Sequence, residues 1–469
     1  MPHRIIITLF AALALFFGLY SHASDKPNIV LIISDDHSFT DYGFMGHEVI
    51  QTPNLDKLAS QSALFRRGYV PTALCRPALM TLATGTYAHV NLITGNDPAI
   101  NPVNEAYVKA KDKTAKAQLI DNIDRFDSLP KMLAKQGYLS HQSGKWWEGS
   151  YQHGGFTHGM TRGYPKPQGR HGDDGLNIGR RLASEPRSTE GTDIPNSMKP
   201  INDFIDLAME EEKPFFLWYA PFLPHTPHNP PDRLFNKYKA DGRPMTVGRY
   251  YAMVDWFDET IGDLMQTLED KGVYSNTLVI YVTDNGWIQS PKGGGYAPRS
   301  KRSPNEGGTR TPIMYRWLGQ IAPQDRPELA TSIDIYPTIL AAAGAEVPDD
   351  LPGLNLLPQL IEEKPIDRDT IFGESFAHDI ADIQNPEASL LYRWVIQGHM
   401  KLLLTYDGTP GRMKYPPEGF APQLYDLKAD PHEKKNLAKD DPDKVKAMTA
   451  LLNGWYQPRQ AKHSGNDKP

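Results

Sequence analysis

The stretch Lys26-Pro27-Asn28-Ile29-Val30-Leu31-Ile32-Ile33-Ser34-Asp35-Asp36 decides the fold. Its apolar run has no polar face, which is the texture of a strand covered on both sides within a parallel sheet. The same texture returns at Pro214-Phe215-Phe216-Leu217-Trp218-Tyr219 and at Thr277-Leu278-Val279-Ile280-Tyr281-Val282, with helical spacing of apolar residues from Tyr250 to Lys271 between them. Strand, helix and strand in that order predict an α/β fold.

At 469 residues the chain exceeds the usual size of one compact domain, so a large domain and a smaller one are expected. After the helical Ile333 to Ala343 comes the turn-rich Glu346 to Gly353. From about Asp369 the pattern shifts to short strands, Tyr392 to Gln397 and Lys401 to Tyr406, closed by a helix over Asp443 to Trp455. A boundary near residue 360 therefore separates a larger domain, 24–360, from a smaller sheet-containing one, 361–469. Asn101 to Asp121 and Gly149 to Asn196, rich in Gly, Lys, Arg and Asp and without a period, read as long excursions of the kind that line sites.

The N-terminus places Arg4 before an apolar run from Ile5 to Tyr20 and then Ser21-His22-Ala23, the order of an export signal over residues 1–23. The run is shorter than the roughly 20 residues of a spanning helix. No membrane span is expected after cleavage, and the destination is periplasmic or extracellular. The 50 basic and 56 acidic side chains lack the basic excess of a nucleic-acid binder. Exported proteins usually spend cysteines on disulfides, yet Cys75 is single. It is either an idle buried thiol or a group with chemical work.

Asp35-Asp36 follow the first buried strand, and Asp284-Asn285-Gly286 follow the later one in the same way. Open parallel sheets bind ligands at the carboxyl ends of their strands, so both groups are delivered to one place. Turn and N-cap chemistry accounts for either pair alone. Together, three carboxylates and an amide oxygen suit a hard divalent ion, Ca²⁺ ahead of Mg²⁺.

The segment Leu74-Cys75-Arg76-Pro77-Ala78-Leu79-Met80-Thr81-Leu82-Ala83-Thr84-Gly85 resembles the signature of the formylglycine-dependent (type I) sulfatases, arylsulfatase-like members of the alkaline phosphatase superfamily. The likeness continues through Lys26-Pro27-Asn28 with Asp35-Asp36, Gly144-Lys145-Trp146, Pro224-His225-Thr226-Pro227, Asp284-Asn285-Gly286, Glu306-Gly307-Gly308-Thr309-Arg310 and Leu424-Tyr425-Asp426-Leu427. It implies a large mixed, mostly parallel sheet sandwiched by helices, with a smaller C-terminal α+β domain carrying an antiparallel sheet. It also implies a sulfuric ester hydrolase acting on a sulfated carbohydrate or small sulfate ester. In that family a maturation enzyme oxidises the cysteine to formylglycine, whose hydrate attacks sulfur and whose other hydroxyl later expels the sulfate. Carried over position by position, the resemblance makes Cys75 the nucleophile precursor and Asp35, Asp36, Asp284 and Asn285 calcium ligands, with modified Cys75 beside the ion. Lys145, His225 and Lys301 become catalytic contacts to the sulfate or leaving group. His225, on a stiff turn between Pro224 and Pro227, suits proton donation to the departing alkoxide.

Two positions depart from the pattern. The arginine expected two positions after Pro77 is Leu79, and the histidine expected after Gly144-Lys145-Trp146 is Trp147, so a guanidinium and a base are missing. Arg76, as a substrate contact, Arg302, or the histidines His153, His158 and His171 are available to replace them. Trp146-Trp147 either form a sugar platform or pack a loop onto the core. The competing readings are a phosphodiester or phosphonate monoester hydrolase on the same scaffold, and a glycan-binding protein that keeps the fold and metal without turnover.

Overall fold

The computed structural model describes residues 26–98, 113–161, 198–239, 242–406 and 421–459. The expected export signal, His171 and much of the two long excursions lie outside the described residues.

An eight-stranded sheet forms the middle layer. From one edge its strands are Gln324–Arg326, Ala63–Phe65, Ile313–Arg316, Thr277–Thr283, Asn28–Ser34, Phe215–Ala220, Leu139–Gly144 and His158–Gly159. Ile313–Arg316 runs antiparallel to both of its neighbours, and the remaining pairings are parallel. The decisive apolar run is a central strand, in register with Thr277–Thr283 so that Ser34 faces Thr283.

Successive side chains of a strand point to opposite faces, so a run without polar members must be covered twice. Ile29, Leu31 and Ile33 share one core cluster with Leu82, Leu133 and Ile339 from the helices Cys75–Thr84, Leu129–Lys135 and Ile335–Ala342. Val30 and Ile32 share the other with Leu58, Phe204 and Phe257 from Pro53–Ser60, Lys199–Glu210 and Met245–Asp270. Met245–Asp270 starts ahead of the expected Tyr250, directly after Pro244.

A second sheet is antiparallel, with strands in the order Thr370–Phe376, Leu390–Gln397, Met400–Thr405 and Gln423–Asp426. One of its faces packs Trp394, Ile396 and Leu403 with Tyr69 and Leu329 of the larger layer. The other packs Val395, Leu402 and Leu424 beneath the helix Pro442–Trp455 through Met448 and Leu452. No helix among the described residues is long and apolar enough to cross a membrane.

Four adjacent parallel strands, Thr277–Thr283, Asn28–Ser34, Phe215–Ala220 and Leu139–Gly144, end on the same edge. The segments that follow them carry Asp284-Asn285, Asp35-Asp36, His225 and Lys145 respectively. This is where an open parallel sheet binds its ligand.

Candidate active site

Parallel pairing ends the two central strands at one level, and Asp284 N donates to Ser34 O at 2.9 Å. Asp35 and Asp284 therefore emerge together. Asp36 then turns through left-handed backbone (φ 62), a conformation its short polar side chain tolerates, and its N–H donates to Asp284 Oδ1 at 3.0 Å. Lys145 follows Gly144 at φ 81, where a Cβ would stand 2.0 Å from Ala220 O. Only glycine lets that strand turn its next residue inward. Gly286 permits a comparable approach, since a Cβ there would stand 2.2 Å from Gly307 O. Lys301 lies between Arg299 and Arg302, both left-handed (φ 58 and 69), and Arg302 N donates to Ala73 O at 2.8 Å, tying the loop to the segment before Cys75. Such backbone is strained for residues with side chains and concentrates at functional sites. Cys75 is the first residue of its helix, where the N-terminal partial charge is positive.

These side chains meet in one buried group. Lys145 Nζ lies 2.5 Å from Asp35 Oδ1 and 3.0 Å from Asp284 Oδ2. Lys301 Nζ lies 2.6 and 2.8 Å from the two oxygens of Asp36 and 3.2 Å from Cys75 Sγ. Asn285 Nδ2 donates to Asp36 Oδ1 at 2.7 Å, and His225 Nε2 is 3.4 Å from Asp36 Oδ2. Burial works against the Asp36 charge, but Lys301, His225 and Lys145 outweigh it and hold the carboxyl down at about 2. Burial likewise opposes the charge on Lys145, yet Asp284 and Asp35 keep the ammonium well above the usual lysine range. Burial pushes the Cys75 thiol up to about 12 against the pull of Lys145 and Lys301. An unmodified Cys75 is thus not a thiolate at neutral pH and makes a poor nucleophile. Burial also holds the His225 ring neutral, at about 3. Its Nδ1–H donates to Thr226 O, which leaves the Nε2 lone pair facing Asp36.

Two oxygens of this group, Asp35 Oδ2 and Asn285 Oδ1, are buried and accept no hydrogen bond among the described residues. Orphaned buried acceptors are costly and need an explanation. Three carboxylates also outnumber two ammoniums. Asp35, Asp36, Cys75 and His225 each offer a ligand atom within 4.8 Å of the others. The orphaned oxygens, the excess negative charge and the oxygen-rich donor set fit a hard divalent cation.

Several sequence candidates stand outside the group. The Arg76 guanidinium is fully enclosed: Nε and Nη2 donate to the two oxygens of Glu148 at 2.7 and 2.6 Å, and Nη1 donates to Asn96 O at 3.1 Å. That bidentate pair satisfies the planar fork, so Arg76 fixes the start of the Cys75 helix rather than offering a donor to a sulfate. Leu79 lies in the core cluster on the Cys75 side of the sheet, and Trp147 packs against the same cluster. Trp146 is enclosed, donates Nε1–H to Glu148 O and Ser150 O, and meets Phe156 and Trp218 edge-on. Both tryptophans therefore pack a loop onto the core, and the enclosed Trp146 offers no face to a sugar. His153 lies 3.2 Å from Asp124 Oδ2, His158 faces Phe204 at the sheet edge, and Arg302 is exposed beside Tyr296. Sequence reasoning does not single out Glu148, three residues after Lys145, or Trp287, whose ring lies 5.7 Å from Lys301 Nζ. Trp287 directly follows Asp284-Asn285-Gly286, and that adjacency is the signal that could have found it.

The chain is similar to known proteins. Residues 27–345 match the sulfatase family model, and residues 294–457 match that of the C-terminal region of N-sulphoglucosamine sulphohydrolase. Arylsulfatase A of Homo sapiens is 29% identical over 96% of this chain and 90% of its own length. N-acetylgalactosamine-6-sulfatase of Homo sapiens is 29% identical over 74% of this chain and 68% of its own. The crystal structure of Ps i-CgsB in complex with k-i-k-neocarrahexaose has a TM-score of 0.69 at 23% identity, covering 93% of this chain and 94% of that one, a likeness of fold.

Proposed function

The chain belongs to the formylglycine-type sulfatases of the alkaline phosphatase superfamily, which hydrolyse sulfuric esters, and from that premise we propose that it removes sulfate from a sulfated carbohydrate with Cys75 as the precursor of its nucleophile. The observation that carries this reading is the position of Cys75 Sγ, buried at a helix N-terminus and 3.2 Å from Lys301 Nζ, within the same group as Asp36. The N-acetylgalactosamine-6-sulfatase relative and the neocarrahexaose complex support a carbohydrate ester over a free aryl sulfate. Residues 1–23 are read as an export signal, and the substrate as a sulfated glycan outside the cytoplasm.

Formylglycine, made from Cys75 by a maturation enzyme, supplies an aldehyde hydrate as an oxygen nucleophile for sulfur. Asp35, Asp36, Asp284 and Asn285, beside the modified Cys75, would hold a divalent cation, Ca²⁺ ahead of Mg²⁺, which would supply Lewis-acid stabilisation of the sulfate oxygens. Asp36 and Asp284 now hold Lys301 and Lys145 at this spot, so an anionic ester arriving there meets two ammoniums already in place. They stabilise the charge that builds on the sulfate oxygens during transfer. His225 keeps its Nδ1–H on Thr226 O and presents Nε2 to the same spot. The negative charge of the ester favours protonation of Nε2, from which the proton passes to the departing alkoxide.

Matured protein is expected to release inorganic sulfate from 4-nitrophenyl sulfate and from sulfated oligosaccharides. A chelator should lower turnover at least about 100-fold, and lower the thermal midpoint, with both restored by added Ca²⁺. Hydrolysis of a phenyl phosphonate ester without sulfate release would make the protein a phosphonate hydrolase. Oligosaccharide binding without turnover would make it a binding protein, and indifference of both activity and midpoint to the chelator would remove the metal.

A further inference from the structure

The loop that carries Lys301 begins as a short, rigid finger. Gln289 bridges Tyr296, Ser290 N donates to Gly295 O at 3.0 Å and Ala297 N donates to Ile288 O at 2.7 Å. Inside the finger the buried Gln289 amide donates to Gly293 O and Gly295 O and accepts the Trp287 indole N–H at 3.0 Å. Trp287 is held in a core cluster with Ile50, Tyr250 and Val254. Lys301 Nζ lies over the ring of that anchoring tryptophan, 5.7 Å from its centroid, and the same ring also meets Tyr296 at 5.2 Å between centroids. Tyr296 is 37% exposed and Ile288 beside it 39%. The Tyr296 ring thus stands in solvent two ring contacts away from the ammonium proposed to hold the scissile sulfate.

Charge gives the finger a direction. Arg302, next to Lys301, is exposed and places Nη1 3.5 Å from Tyr296 Oη. Lys292 at the finger tip is exposed as well. Neither cation has a carboxylate partner among the described residues. Arg302 adopts left-handed backbone (φ 69), which its loop must enforce. A rigid aromatic face beside an uncompensated guanidinium matches a pyranose ring that carries its own anion: the C–H face of the sugar covers the phenol, and a carboxylate or sulfate meets the planar fork. Because the finger is already ordered, such binding incurs little loss of loop entropy.

We propose that Tyr296 and Arg302 form a second subsite of the same active site, which takes the anionic sugar adjoining the one that bears the scissile sulfate. This rests on the sulfatase reading and narrows it: the substrate is an oligomer of acidic sugars rather than an isolated sulfate ester.

The test uses matured full-length enzyme with 4-nitrophenyl sulfate, which carries no adjoining anionic sugar, and a chondroitin-sulfate-derived tetrasaccharide as competitor. The tetrasaccharide should inhibit the wild type, whereas uncharged maltotetraose should not. Tyr296→Ala and Arg302→Gln should each weaken that inhibition about 10-fold while kcat/KM for 4-nitrophenyl sulfate stays within about a factor of two. Unchanged inhibition in both variants, or equal inhibition by maltotetraose, would overturn the subsite. So would an equal loss of 4-nitrophenyl sulfate turnover, which would make the finger a support for Lys301. A wild type that releases sulfate from neither 4-nitrophenyl sulfate nor a sulfated oligosaccharide would instead bring down the sulfatase reading itself.

Discussion

Cys75→Ala is expected to reduce sulfate release by at least about 10³-fold while leaving the fold in place. Cys75 is buried, but its sulfur is a minor member of its surroundings. Lys301, the cation beside it, retains both oxygens of Asp36 at 2.6 and 2.8 Å, so no buried charge is left without a partner. Alanine at the first position of the helix Cys75–Thr84 is compatible with helical backbone. The loss of stability should therefore stay within about 2 kcal/mol, and the two effects separate cleanly. A companion measurement addresses the chemistry directly: the peptide containing Cys75, from protein made with a maturation enzyme, should be lighter by about 18 Da, the change from thiol to aldehyde. Full activity in Cys75→Ala, or an unmodified thiol in fully active protein, would remove Cys75 as the nucleophile precursor. Leu79 gives the mass measurement a second use. It sits in the core cluster and cannot offer a hydrogen bond to the neighbourhood of Cys75, so a modified Cys75 would mean that maturation proceeds without a guanidinium at that position.

The legible parts of this molecule are those written in short, local patterns. Ile29 to Ile33 is covered on both faces because every residue of the run is apolar, and its neighbours Phe215–Ala220 and Thr277–Thr283 carry the same signature. Parallel register then brings Asp35-Asp36 and Asp284-Asn285 together, since residues that follow paired parallel strands leave the sheet on the same side. The directions of individual side chains were not legible. Arg76 is adjacent to Cys75 in sequence, yet successive residues of a helix point about 100° apart, and Glu148 captures its guanidinium. Trp147 stands where a base was expected, but whether an indole faces substrate or core depends on what the sheet leaves to be covered. Arg302 likewise neighbours Lys301 without joining it, because the left-handed turn sends the two in different directions. The partners of Lys401 and Glu433 were equally hidden, since those residues lie far from Glu306 in sequence, Lys401 in the second sheet and Glu433 in the loop after its last strand.

Lys401→Ala should destabilise the protein by about 3–5 kcal/mol, the cost of leaving buried carboxylates without their cation. Lys401 is fully buried, with Nζ 3.0 Å from Glu306 Oε1 and 3.2 Å from Glu433 Oε1. Glu306 is fixed further by Tyr69, whose hydroxyl donates at 3.0 Å, and its own N–H donates to Glu433 Oε2 at 2.8 Å. The cation comes from the second sheet, and Glu306 opens the short helix Glu306–Thr309 that follows the Lys301 loop. The network therefore holds the second sheet against the segment that presents Lys301. Burial raises the Glu433 carboxyl, and Lys401 pulls it back; without Lys401 the raised state prevails. A carboxyl whose folded pKa lies above its unfolded value gives stability below the unfolded pKa, and loses it as pH rises through the folded one. The deficit of Lys401→Ala should therefore be smaller near about pH 5 than near about pH 8, as the raised Glu433 carboxyl takes up a proton in the acid range. Denaturant unfolding of the wild type and the variant at both pH values checks this. A deficit under about 1 kcal/mol at the higher pH, or one that grows on acidification, would show that the network is not an ion pair that supports the fold. Adding Glu433→Gln to Lys401→Ala should recover part of the loss, because the amide is neutral and still accepts the Glu306 N–H.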